Sequence, residues 1–212
     1  MSYLTYNGKM VRAQGKYVLG AQVPGQIYMT DINDEIVFSS VPNITGSKTI
    51  SADLYLDSSM SGFSWLWMPE SGDDFFQAIL NELPSLERDT LGIYDYVLRI
   101  QVKNSPVYVR IYSLQNYVGQ ILHLEIIKGT GSIVSVKANG DTLSSLGNGL
   151  YTTSGFGSKT FYGGVLSVWN MEVAGEHKWI GYPFGNTDAA WVDTIGSNDV
   201  SILGSPGTRN LL

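Results

Sequence analysis

Residues 120–142 read Gln-Ile-Leu-His-Leu-Glu-Ile-Ile-Lys-Gly-Thr-Gly-Ser-Ile-Val-Ser-Val-Lys-Ala-Asn-Gly-Asp-Thr, and the class of fold follows from them. Leu122, Leu124 and Ile126 alternate with His123 and Glu125, the two-residue period of a strand with one buried face. Lys128-Gly129-Thr130-Gly131 breaks the alternation. Val134, Val136 and Ala138 then line one face of a second strand, with Ser135 and Lys137 on the other. Asn139-Gly140-Asp141 supplies residues that tolerate positive φ in a tight turn. A hairpin with one apolar face is marginal alone, so a larger sheet must lie beneath it.

The same alternation recurs on both sides. In Thr49–Leu56, Ile50, Ala52, Leu54 and Leu56 point one way and Ser51, Asp53 and Tyr55 the other. Ile36-Val37-Phe38 is a shorter strand candidate. Tyr94–Val102 and Val107–Leu114 read as a further pair of strands, joined by Lys103-Asn104-Ser105-Pro106. Tyr108, Arg110 and Tyr112 share a face there, opposite Val107, Val109 and Ile111. An exposed Tyr-Arg-Tyr stripe has the composition of a recognition surface, and equally of the wet face of an antiparallel sheet. Phe63, Trp65 and Trp67 fall on one face of another strand, either as core or as a platform for sugar rings. One helix is expected over 73–83. Phe75, Phe76, Ile79, Leu80 and Leu83 keep helical spacing, Asp73 and Asp74 sit in the first turn, and Pro84 ends it.

Two of these stretches carry a family resemblance. The strand bearing His123, the glycine-broken turn and the second strand ending in Asn139-Gly140 resemble the hairpin of laminin-G-like and concanavalin A-like jelly rolls. Gly164-Val165-Leu166-Ser167-Val168-Trp169-Asn170-Met171-Glu172-Val173 resembles the closing strand of those domains. The resemblance spans roughly residues 40 to 175. It implies a two-sheet antiparallel jelly-roll sandwich, so the expected fold is an all-β jelly roll with the one short helix read above and irregular N- and C-terminal arms.

The arms bracket the domain. Residues 1–25 are expected to form a hairpin arm and linker, 26–176 the jelly roll, and 177–212 an irregular Gly-rich arm studded with aromatics. The first arm holds an echo, Gly8-Lys9-Met10-Val11 and then Gly15-Lys16-Tyr17-Val18. Leu4-Thr5-Tyr6-Asn7-Gly8-Lys9 with Gly15-Lys16-Tyr17-Val18 resembles the opening of structural proteins of tailed phages of gut bacteria, which implies a virion location. Tyr6, Lys9, Lys16 and Tyr17 are its candidate assembly contacts. Asp31-Ile32-Asn33-Asp34-Glu35 concentrates oxygen-bearing side chains. Asp31, Asn33, Asp34 and Glu35 are weak candidates for Ca²⁺, but the spacing matches no loop signature, and acid-rich turns form without a metal. Between Trp179 and Leu212, glycines forbid long regular elements, while Trp179, Tyr182, Phe184 and Trp191 argue for order against this domain or a neighbour.

Composition narrows the function classes. The chain has 212 residues and no cysteine, so disulfides, thiolate metal sites and a cysteine nucleophile are excluded. Only 15% of residues are charged, against about 25% in ordinary domains. The net charge of −6 argues against nucleic acid as a partner. No apolar run approaches the roughly 20 residues of a membrane span, and the opening residues lack the apolar core of a signal peptide. No paired-carboxylate strand of a glycosidase, nucleophile elbow, phosphate loop or zinc-protease helix is present, so no enzyme activity and no cofactor are expected. Two expectations remain. One is a virion structural protein working by assembly with other virion proteins and as a homo-oligomer, a trimer being favoured. The other is a carbohydrate-binding module or lectin-like protein. In that reading Tyr108, Arg110, Tyr112, Trp179, Tyr182 and Trp191 contact a bacterial surface glycan or a partner.

Overall fold

The computed structural model describes residues 25–29, 33–39, 46–58, 78, 80, 96–102, 109–130, 134–146, 167–198 and 200–211 with side chains. It gives the backbone alone for the strands or strand residues at 5–6, 9–10, 12–13, 16–17, 64–67, 76, 77, 79, 103, 107–108, 159–162 and 166. Two small hairpins come first: β1 (Thr5–Tyr6) pairs with β2 (Lys9–Met10), and β3 (Arg12–Ala13) with β4 (Lys16–Tyr17). The strands that follow are β5 (Gln26–Met29), β6 (Glu35–Phe38), β7 (Lys48–Leu56), β8 (Ser64–Trp67), β9 (Phe76–Leu80), β10 (Val97–Lys103) and β11 (Val107–Ser113). After them come β12 (Ile121–Lys128), β13 (Val134–Ala138), β14 (Asp141–Thr142), β15 (Lys159–Tyr162), β16 (Leu166–Val173), β17 (His177–Trp179), β18 (Val200–Leu203) and β19 (Gly207–Arg209).

These strands make two antiparallel sheets. One runs β11-β10-β9-β8-β15-β6-β18, and the other β14-β13-β12-β7-β16-β5-β19, with β17 added against β16. The chain is therefore all-β. The stretch at 120–142 supplies β14, β13 and β12, one end of the second sheet. β12 pairs with β7 from Ile121↔Tyr55 to Lys128↔Lys48, and with β13 from Leu124↔Ala138 to Lys128↔Val134. Leu122, Leu124, Ile126, Val136 and Ala138 are buried, as the alternation requires. Asn139 (φ 52) and Gly140 (φ 90) form the two-residue turn into β14, both in the left-handed region that this turn demands.

One cluster of buried apolar side chains draws on both sheets. Ile27, Leu54, Leu122, Val136 and Met171 come from one, and Ile36, Phe38, Ala78, Leu80, Leu98 and Ile100 from the other. Each such side chain contributes on the order of 1.5–3 kcal/mol by leaving water. β10 is buried on both faces, because Val97 joins Val109 and Ile111 of β11 in a second, smaller cluster. Among the described residues no helix is long and apolar enough to cross a membrane.

Of the helix expected over 73–83, the described part is strand instead, and the rest lies outside the described residues. Phe76–Leu80 is β9, paired with β8 on one side and β10 on the other. The run Phe76, Ala78, Leu80 also keeps the two-residue period, and a short apolar run fits either geometry. Tertiary context decides: two neighbouring strands offer backbone partners, and Ala78 and Leu80 enter the core. The row Phe63, Trp65, Trp67 is interrupted too. The register slips between Trp65, opposite Ile79, and Trp67, opposite Ala78, while Phe63 and these side chains lie outside the described residues.

Residues 177–211, expected as an arm, complete both sheets instead. β17 pairs with β16, β18 with β6 and β19 with β5. The segment is irregular because its turns wrap two buried indoles. Gly181 (φ +66) lets the backbone lie against the Trp191 ring, where a Cβ would come within 2.7 Å.

Candidate functional site

The outer face of the second sheet carries a polar strip whose members the register brings together. Asp53 on β7 lies opposite His123 on β12, and Trp169 of β16 lies opposite Asp53 on the other side. A bulge follows Trp169, where Asn170 takes φ 48, so its carboxamide reaches Asp53. Asn170 Nδ2 donates to Asp53 Oδ2 at 2.6 Å, while Asp53 Oδ1 meets His123 Nδ1 at 2.7 Å. With both carboxylate oxygens engaged, Asp53 orients the imidazole and leaves Nε2 on the exposed side, 4.0 Å from Glu125 Oε1. The Asn139 side chain accepts the His123 amide at 2.7 Å, which ties the turn to the strip. Lys137 Nζ lies 3.7 Å from Glu125, and Lys178 Nζ 3.2 Å from Glu172.

Further along the same face, β19 is fastened by a side chain. Arg209 lies between the rings of Tyr28 and Tyr55, 5.1 and 4.9 Å from their centroids, and donates to Asp57 Oδ2 at 2.6 Å. The Asp57 bond leads the causes that raise the guanidinium's already high pKa, opposed by burial.

The C-terminal segment forms a second constellation around Asp193. Its Oδ1 accepts the backbone amides of Lys178 (3.0 Å), Ile195 (3.2 Å) and Gly196 (2.9 Å), and its Oδ2 meets His177 Nδ1 at 2.6 Å and the Asn198 amide at 3.3 Å. Burial opposes ionisation of this carboxyl, but the amides and the His177 ring outweigh it and hold its pKa well below the usual carboxylate range. His177 stacks on Trp179, with ring centroids 5.2 Å apart. The loop so held presents Val192 (63% exposed) and Ile195 (52%) to solvent, and elsewhere in the segment Leu203 (47%) and Tyr182 (37%) are exposed.

The residues singled out from sequence fall as follows. Trp179 and Trp191 are fully buried in the core, so neither can stack on a sugar. Their indole nitrogens donate inward, Trp179 to Asn198 O at 3.2 Å and Trp191 to Gly185 O at 2.6 Å. Tyr112 is not part of an exposed stripe either. It pairs with Leu98, enters the core, and donates its hydroxyl to Val134 O at 3.3 Å, while burial pushes its phenol pKa up, opposed by the Arg110 charge. Strand β11 turned its tyrosine face inward because Leu98, Ile100 and Val102 of β10 lie on that face. Arg110 is half-buried and donates to Val109 O at 3.2 Å. Tyr182 is exposed, and the side chain of Tyr108 lies outside those described. Of the acidic run, Asp31 lies outside the described residues, Asp34 accepts the Ser205 amide at 3.0 Å, Glu35 is buried on β6, and Asn33 is exposed. Among the described residues no three metal-ligating side chains gather into one group. Tyr6, Lys9, Lys16 and Tyr17 lie on β1, β2 and β4, whose side chains are not among those described.

Sequence reasoning missed the hydrogen-bonded Asp53–His123–Asn170 group and the Asp193 hub. Asp193-Thr194-Ile195-Gly196 carries the signature of an Asx turn, which was a usable signal for the hub. Comparison with known protein families, with curated proteins and with solved structures finds no significant match.

Proposed function

We propose that this chain is a structural protein of a tailed-phage virion, built as a two-layer jelly-roll sandwich and working by assembly with copies of itself and with other virion proteins. One observation carries the reading. Of the six large apolar side chains most exposed among the described residues, four (Tyr182, Val192, Ile195 and Leu203) belong to the segment that closes both sheets. Exposed apolar groups concentrated in one segment tied into both sheets suit a protein contact. The resemblance of residues 4–18 to openings of phage structural proteins supplies the virion context, and a homotrimer is the favoured assembly. The two sheets would be the facing layers of the sandwich, since one cluster of buried side chains draws on both. Glycan contact is the weaker reading, because two of its three C-terminal aromatics point into the core.

Size-exclusion chromatography with light scattering at micromolar concentration tests this. A stable multimer that Val192→Asp with Ile195→Asp dissociates, without loss of the folded spectrum, is the expected result. A monomer at every concentration that shifts on a glycan array would overturn assembly in favour of the lectin reading.

A further inference from the structure

Arg209 is held in a slot that other strands build. On the outer face of the second sheet, Ser167 of β16 lies opposite Tyr28 of β5 on one side and Tyr55 of β7 on the other. A serine between two tyrosines leaves a gap in the row. Two strand spacings, roughly 9.6 Å, separate the two tyrosine backbones, so their rings leave room for one flat group between them. The floor of the gap is polar. Ser167 is fully buried, and its hydroxyl has no hydrogen-bond partner among the described residues.

The occupant comes from a different strand. Arg209 lies opposite Gln26 on β19, so its side chain crosses β5 to reach the gap. Its guanidinium lies 5.1 Å from the Tyr28 centroid and 4.9 Å from that of Tyr55, and donates to Asp57 Oδ2 at 2.6 Å. Asp57 follows the last residue of β7, and its side chain is only 15% exposed. The two tyrosines and the serine do not depend on β19 for their places. β7 pairs with β12 and β16, and β16 with β5, so main-chain bonds that Arg209 does not enter fix these walls. A site whose walls are set before its ligand arrives pays little ordering entropy on binding.

We propose that Tyr28, Tyr55, Ser167 and Asp57 form a preformed site for a guanidinium group, which the chain fills with its own Arg209 to latch β19. A guanidinium is flat, permanently charged and rich in donors, so one group meets both rings, the carboxylate and the serine hydroxyl. An ammonium has the charge without the plane, and urea has the plane without the charge. An arginine side chain offered by another molecule is the ligand that the slot takes when β19 leaves it. This inference stands apart from the assembly reading, because every group that it names belongs to one chain.

Chemical rescue tests the site. Arg209→Ala empties the slot and should lower the melting temperature of the full chain. Guanidinium chloride at millimolar concentration should then raise it along a saturating curve, as a ligand that binds only the folded chain does, and shift the ring resonances of Tyr28 and Tyr55. The native chain, whose slot is filled, should gain nothing. Sodium chloride and ammonium chloride at the same ionic strength, and urea at the same concentration, should not rescue. Asp57→Asn added to Arg209→Ala should weaken the rescue. No rescue of a folded alanine variant, equal rescue by urea or either salt, a stabilised native chain, or rescue untouched by Asp57→Asn would each overturn the site. Arg209→Lys keeps the stem and the charge, so it carries the test if the alanine variant does not fold. Its melting temperature should fall below that of the native chain, and one equal to it would overturn the assignment to a guanidinium.

Discussion

Replacing Asp193 by alanine should cost this protein about 3 kcal/mol. The carboxylate is nearly inaccessible to water and accepts from four backbone amides and the His177 ring. The amides of Ile195 and Gly196 are exposed and recover water, so their loss weighs little. Those of Lys178 and Asn198 are partly buried, and each stranded donor costs roughly 1–2 kcal/mol, to which the lost His177 bond adds about 1. For a chain of this size 1 kcal/mol moves the melting temperature by about 2–4 °C, so calorimetry should register a drop of about 6–12 °C. The acid limb gives an independent check. The folded pKa of Asp193 is depressed, so its contribution is complete above the unfolded value near ~3.9 and is lost as pH falls through the lower folded value. Asp193→Ala should therefore flatten the stability curve below about pH 4. The loop bearing Val192 and Ile195 would also loosen, and multimer mass should fall with it. A variant that melts within about 0.5 kcal/mol of the native chain, with the same acid limb, would refute the hub.

Three other perturbations separate the fold's parts. Gly181→Ala forces a side chain into positive φ and against the Trp191 ring, and should destabilise by about 2–3 kcal/mol with a shift in tryptophan emission; an unchanged melt and spectrum would contradict the packing described. Val136→Asp places a charge at a fully buried position in the core and should abolish folding; soluble protein with native-like melting would remove the hairpin assignment. Arg209→Met loses the Asp57 bond and the electrostatic part of the ring contacts, and should cost about 1–2 kcal/mol in chemical denaturation. No change there would mean that main-chain pairing alone holds β19.

Sequence alone determined the all-β class and much of the core. Where one face of a strand meets water and the other does not, alternation is written into residue order, so the strands at Ile50–Leu56, Leu122–Ile126 and Val134–Ala138 and the Asn139-Gly140 turn were legible without neighbours. Tertiary structure decided what local pattern leaves degenerate. Phe76–Leu80 satisfies both helical and strand periods, and only flanking β8 and β10 select the strand. Tyr112 turned inward because it pairs with Leu98 on the core face of β10, a property of its neighbours rather than of its own sequence. Trp179 and Trp191 became core because β17, β18 and β19 return to strands more than a hundred residues away or across a single turn, and glycines let the backbone lie against the rings. The pairing of Asp53 with His123 and Asn170 likewise depended on register and on one bulge, neither of which a linear reading contains.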